Sequence, residues 1–191
     1  MDSEKARLRR ARRLEQETLA EIYDLLSPGL YRFAVRQLGD PSRAEDCVAD
    51  TFRRLLDALR AGGGPRRHLR AYLYRVAHNW ITDQYRREFP GPLSQAADVR
   101  SDPLHEPSYG AERELERERV RAALARLTPD QRQVIVLKFL EGWSNQEVAR
   151  SLGKPVGAVK SLQHRALASL KRVLIGKDGK DGNRIEEPRG S

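Results

Sequence analysis

The sequence predicts an all-α protein of two small helical domains joined by a flexible linker, the C-terminal one a helix-turn-helix. Three observations carry this reading. Apolar residues recur at helical spacing from Leu19 to Arg60 and again from Leu69 to Glu88, with no alternating strand pattern. Glycine and proline then cluster in "FPGPLSQAADVRSDPLHEPSYG", Phe89 to Gly110, a stretch long enough to separate domains. Beyond it, helix-start signatures follow one another closely, as in a small helical domain. With 191 residues of which 39% are hydrophobic, two compact units are easier to stabilise than one large core.

The elements follow in order. Residues 1–18, "MDSEKARLRRARRLEQET", are expected to form a flexible basic arm without the apolar core of a signal segment. Residues 19–89 form the first domain. In it Leu55, Leu56 and Leu59 continue a face begun by Val48 and Phe52, and "AGGGP" from Ala61 makes a loop. In the helix Leu69 to Glu88, Tyr74, Ala77 and Ile81 share one face, so most aromatics are expected inside, with His78, Asn79, Asp83 and the arginines outside. Residues 90–112 are the linker and residues 113–175 the second domain. Here Leu115, Val120, Leu124 and Leu127 line one side of a charged helix, and Thr128, Pro129 and Gln131 form a helix-start signature. Ser144 and Glu147 repeat the capping-box spacing, and Phe139 and Trp143 are expected in the core. The tail, residues 176–191, lacks apolar periodicity and is expected to be flexible.

The formal net charge of +9 points to a polyanionic partner. No apolar run approaches the roughly 20 residues of a spanning helix, so membrane insertion is not expected and a cytoplasmic location is. Charge is uneven: seven basic and two acidic residues lie between Arg60 and Glu88, eight and one between Arg150 and Lys180, three and seven between Asp98 and Glu118. Two basic patches flanking an acidic connector suit a phosphate backbone held at two separated places. Cys47, the single cysteine, reads as buried and inert, and the four histidines are not grouped at metal-ligand spacing, so neither metal nor cofactor is expected.

In "WSNQEVARSLGKPVGAVKSLQHRALASLKR", "NQEVARSL" is a short first helix, Gly153 the turn, and "PVGAVKSLQHRALASLKR" the second helix. Val156, Val159, Leu162, Leu167 and Leu170 supply packing surface, which leaves Lys160, Ser161, His164 and Arg165 toward a DNA groove. These side chains can reach base edges or anchor phosphates equally well. The helix Leu69 to Glu88 interleaves Arg70, Arg75, Arg86 and Arg87 with Tyr72, Tyr74, Trp80 and Tyr85, a pattern suited to melted or single-stranded nucleic acid, although part of it fills the core.

On these motifs, the stretch from Leu19 to Leu174 resembles the extracytoplasmic-function (ECF) sigma factors, two-domain subunits for bacterial transcription initiation. "AEDCVADTFRRLL" is similar to the family's core-polymerase-binding helix and "RAYLYRVAHNWITDQYRRE" to its minus-ten-element helix. "LARLTPDQRQVIVLKFLEGWSNQEVARSLGKPVGAVKSLQHRA" is similar to its minus-thirty-five domain. The resemblance implies that Asp46, Asp50, Thr51, Phe52 and Arg53 lie on or beside the surface that docks on the clamp helices of the largest polymerase subunit, Phe52 being core or contact. It implies a base-capturing loop from Gly62 to Leu69 with Arg66 and Arg67, and a minus-ten face made by Arg70, Arg75, His78, Asn79, Trp80, Asp83, Arg86 and Arg87. Lys160, Ser161, His164 and Arg165 match the family's minus-thirty-five readers, whereas Leu162 and Leu167 stand where the family often has arginine.

The implied function is promoter recognition: a sigma factor that directs core polymerase to specific promoters and promotes DNA opening. The implied partners are bacterial RNA polymerase core, through the clamp helices and the flap of the second-largest subunit, promoter DNA, and an anti-sigma factor. A stand-alone helix-turn-helix regulator shares the C-terminal motif but leaves "AEDCVADTF" and the basic-aromatic helix without a role. An enzyme is not expected, since no motif pairs carboxylates or joins a nucleophile to a base.

Overall fold

The computed structural model describes residues 2–88, 119–120 and 122–178, and all regular structure among them is helical. The first unit contains α1 (Asp2–Arg12), α2 (Gln16–Leu38), α3 (Pro41–Arg60) and α4 (Leu69–Glu88). The second contains a helical stretch over 122–125, α5 (Pro129–Ile135), a π-helical turn (Val136–Leu140), α6 (Asn145–Leu152) and α7 (Val156–Asp178). The expected linker, 90–112, lies outside the described residues.

Local signals set the helix ends. The left-handed Gly39 stops α2, and the Asp40 carboxylate accepts the Arg43 N–H at 3.0 Å to start α3 behind Pro41. Ile22, Leu30, Phe33, Leu55, Leu73, Tyr74, Ala77 and Ile81 fill the centre of the first unit, as the helical spacing on α4 requires. At Gly29 of α2 a Cβ would come within 2.8 Å of the Tyr74 hydroxyl, so the close approach of α2 and α4 needs glycine there. Cys47 is fully buried, and burial pushes its thiol up to about 12, which keeps it protonated and inert at neutral pH.

Both expected capping boxes form, Thr128 with Gln131 and Ser144 with Glu147. Between them the chain widens into the π-helical turn, where the Glu141 N–H donates to the Val136 carbonyl at 3.0 Å. A left-handed Gly142 (φ 70°) follows, and the Trp143 N–H closes on Leu137 at 2.9 Å. This wider turn swings Glu141 and Trp143 toward the first unit. It also corrects one expectation: Trp143 is core, but Phe139 points outward and is half exposed.

The buried residues of the two units run together into one cluster. Three further expectations change. The N-terminal segment expected as a flexible arm is helical, because Leu8 and Ala11 bury themselves against the bundle. The last helix runs to Asp178, beyond the expected end of the domain. On α7, Val159, Leu162 and Ala166 make the packing face, while Val156 and Leu167 are exposed.

Candidate nucleic-acid interface

The helix-turn-helix is built by short-range chemistry. The Ser144 hydroxyl accepts the Glu147 N–H at 3.3 Å, and the Glu147 carboxylate takes the Ser144 N–H at 2.8 Å. The Ser144 N–H, and after it the Ser144 hydroxyl donating at 2.7 Å, hold the Glu147 carboxyl below its usual range. Gly153, left-handed at φ 64°, ends α6 and turns the chain into α7. With Val159, Leu162 and Ala166 turned inward, Lys160, Ser161, His164 and Arg165 all lie exposed on one stripe of α7. The Ser161 hydroxyl donates to the Gly157 carbonyl at 3.1 Å, which fixes its orientation on the helix.

The second candidate face, on α4 and the loop before it, is divided. Arg66 and Arg67 are exposed on the loop, and Asn79, Asp83, Arg86 and Arg87 are exposed on α4. Arg70, Arg75 and His78 instead engage the second unit. The Arg70 guanidinium lies 4.5 Å from the centre of the Trp143 ring and 4.0 Å from the Glu141 carboxylate, which Arg36 of α2 also pairs. Arg75 donates through Nε to the Ser151 carbonyl at 3.1 Å and also bonds the Arg150 carbonyl, so it caps the negative end of α6. His78 corrects the expectation of an exposed side chain: it is buried, with Nε2 3.1 Å from the Asp130 carboxylate. Trp80 is partly buried against the core.

Asp130 also pairs with Lys154 at 3.2 Å, and the His78 hydrogen bond followed by Lys154 lowers its carboxyl to about 2. Beside this cluster a polar cleft of about 430 Å³ opens between the units, bordered by Arg54, Asn79, Asp83 and Arg86. Asp130 titrates lower in the folded chain than in the unfolded one. It therefore stabilises the fold above about pH 4, and that contribution disappears as pH falls toward about 2. Discounted for a carboxylate 37% exposed, the contribution is about 1 kcal/mol. Urea titrations of the protein and of Asp130→Asn, taken above and below that window, measure it. The variant is expected to lose the difference, and an unchanged pH dependence would count against the pairing.

The third candidate surface is on α3. Asp46 is exposed, and Asp50 pairs with both Arg53 and Arg54; Arg53 also reaches Asp57 at 3.0 Å. Thr51 and Phe52 are buried, Phe52 beneath the exposed ring of Tyr23 at 4.8 Å between centroids. Of the two alternatives left open for Phe52 the structure has the core one, and both residues lie beside the exposed acids rather than on the surface. Sequence reasoning missed Asp130, Arg132, Glu141 and the role of Trp143, the residues through which the second unit covers α4. The only signal was negative: "FLEGW" interrupts the apolar period between two well-formed helices. Among the described residues no cluster of His, Cys, Asp or Glu could hold a metal, and no helix is long and apolar enough to cross a membrane.

Comparison with known proteins agrees with this layout. Residues 22–88 match the family Sigma-70 region 2, and residues 117–170 match Sigma-70, region 4. The chain is 32% identical over 169 residues to the ECF RNA polymerase sigma factor SigL of Mycobacterium tuberculosis, covering 88% of this chain and 96% of that one. It is 31% identical over 183 residues to the ECF RNA polymerase sigma factor BldN of Streptomyces coelicolor, covering 91% and 68%. Among solved structures it is similar to CnrH in complex with the cytosolic domain of CnrY, with a TM-score of 0.67 and 29% identity over 91% of this chain and 97% of that one. It is also similar to the sigma factor RpoE of Bartonella quintana in complex with the anti-sigma factor NepR, with a TM-score of 0.62 and 25% identity over 82% and 96%. Two ordered sigma-70 regions, a helix-turn-helix with an exposed polar stripe, and relatives matched along most of their length place the chain in the ECF RNA polymerase sigma factors of the sigma-70 family.

Proposed function

We propose a division of labour among the residues of this sigma factor. The exposed stripe Lys160, Ser161, His164 and Arg165 on α7 reads duplex DNA at the minus-thirty-five element, and this stripe is the observation that carries the reading. The loop residues Arg66 and Arg67, with Arg70, Arg75, His78, Asn79, Trp80, Asp83, Arg86 and Arg87 on α4, hold the melted minus-ten strand. Asp46, Asp50 and Arg53 on α3 face the polymerase clamp helices, with Thr51 and Phe52 supporting them from beneath. We place the first domain from α1 to residue 89 and the second from residue 113 to the end of α7, joined by 90–112. The protein works in the cytoplasm and supplies binding free energy rather than catalysis, since capture of an extruded base offsets an unstacking cost of about a few kcal/mol.

In the arrangement described, Arg70, Arg75 and His78 contact the second unit, so strand capture requires the units to part. A protein partner of the anti-sigma class is proposed on the precedent of the Bartonella relative, which was solved with one. A stand-alone regulator gives no role to the region 2 match over residues 22–88.

The test mixes the purified chain with bacterial core polymerase and measures promoter-dependent transcription. Failure to bind core or to redirect initiation would overturn the reading. Lys160→Ala and Arg165→Ala are each expected to weaken binding of holoenzyme to the upstream duplex by about tenfold, in line with the loss of about 1–3 kcal/mol per base-reading side chain. Core binding should be unchanged. Equal loss of core binding would make α7 a structural element instead.

A further inference from the structure

From the contacts of α1, we propose that this helix is a brace for the strand-capturing loop, with Glu4 and Arg12 as positioning residues for minus-ten recognition. The inference rests on the reading of the Gly62 to Leu69 loop given above. That loop is intrinsically loose. It contains three consecutive glycines, two of them left-handed (Gly62, φ 73°; Gly64, φ 79°), and His68, the residue before α4, is also left-handed at φ 56°. Glycine backbones lose the most conformational freedom when ordered. A non-glycine residue at positive φ persists only where its surroundings hold it.

The surroundings are supplied by α1 from far away in sequence. The Arg12 guanidinium donates to two successive carbonyls of the loop, Gly63 at 2.9 Å and Gly64 at 3.1 Å. The Glu4 carboxylate accepts the N–H of Leu69, the first residue of α4, at 2.9 Å, placing negative charge at that helix's positive end. Leu8 and Ala11, both buried, fix α1 to the bundle so that these two groups meet the loop at its start and finish. Between the anchored ends, Arg66, Arg67 and His68 stand exposed. Neither Glu4 nor Arg12 needs to touch DNA. Their role is to keep the loop in its binding conformation before the strand arrives, because affinity falls in proportion to the fraction of molecules so arranged.

The test uses the full chain assembled with core polymerase. Holoenzyme selects from a pool of single-stranded DNA, about 20 nucleotides long with a randomised centre, and the enriched sequences are counted. Wild type is expected to enrich a defined base at the position facing the loop, and Arg66→Ala with Arg67→Ala to erase that enrichment. Arg12→Ala and Glu4→Ala are expected to reduce discrimination at that same position by about tenfold while core binding stays unchanged. Arg12→Lys, which offers a point charge in place of a fork, should restore only part of it. As a control for general destabilisation, Gln133→Ala in the second unit loses a buried bond to Ser151 and should keep full discrimination. If the loop variants lose discrimination and the α1 variants keep it, the brace is wrong. If Gln133→Ala loses as much, the effect is one of stability and the brace is again wrong. If wild type enriches nothing, strand capture by this loop is itself overturned, and the brace falls with it.

Discussion

Replacing Arg132 with alanine is expected to destabilise the protein by about 3–5 kcal/mol, enough to leave a marginally stable chain largely unfolded. Arg132 is 4% exposed. Its guanidinium donates to the carbonyls of Leu124 at 2.8 Å, Ala125 at 2.9 Å and Leu127 at 3.4 Å within its own unit. It also donates to the Gln37 carbonyl of α2 at 2.6 Å, bonds the Tyr85 hydroxyl, and lies 5.1 Å from the centre of that ring. Alanine takes a donor from all four carbonyls; Leu124 keeps the Leu127 N–H and Gln37 keeps the Tyr85 hydroxyl, whereas Ala125 and Leu127 lose the guanidinium bonds, and a buried charge that ties both units is gone. Each such loss is worth roughly 1–3 kcal/mol, although neighbouring bonds do not add simply. Lysine should rescue little, because an ammonium cannot span acceptors spread across both units. Urea denaturation followed by circular dichroism measures the effect, and a change below about 1 kcal/mol would show that the network is not holding the units.

Trp143→Ala is expected to act more selectively, separating the units while leaving each one folded. The indole completes a row of rings, 4.8 Å from Tyr74, which is itself 5.1 Å from Phe33, and Arg70 lies over its outer face. Truncating a buried tryptophan costs about 3–5 kcal/mol, and here much of that surface lies between the units. A loss of about 3 kcal/mol from the contact shifts the closed-to-open ratio by more than about a hundredfold. The hydrodynamic radius should rise while helical content stays near that of the parent, and single-stranded DNA binding by the free protein should strengthen as Arg70, Arg75 and His78 are released. A simple loss of helix without expansion would mean that the ring serves the core of one unit only.

What the sequence made legible divides along the range of the interactions. Capping boxes at Thr128 and Ser144, the turn at Gly153, and the exposed stripe on α7 follow from residues within about one helical turn of each other, and each appears as read. Periodicity also identified the buried face of α4, Tyr74, Ala77 and Ile81. It could not say that the opposite face is covered. The burial of His78 depends on Asp130, 52 residues away, and the engagement of Arg75 on carbonyls 75 and 76 residues away. Phe139 and Trp143 are indistinguishable by composition, and the π-helical turn that contains Phe139, with the left-handed Gly142 after it, decides which one points inward. The helix α1 was missed for a related reason. It buries little apolar surface, and its polar anchors Glu4 and Arg12 leave no periodic trace.

The position of Arg75 on the end of α6 makes two events compete for the same donors. Nε and Nη2 of the guanidinium are taken by the Ser151 and Arg150 carbonyls, so a phosphate that engages those two donors leaves the α6 terminus uncapped by them. Thermodynamic reciprocity then requires that closure weaken strand binding by the same factor as strand binding weakens closure. On the function proposed above, the downstream DNA contact becomes an effector of the upstream reader: a strand that draws Arg75 away from α6 loosens the helix-turn-helix from the first unit.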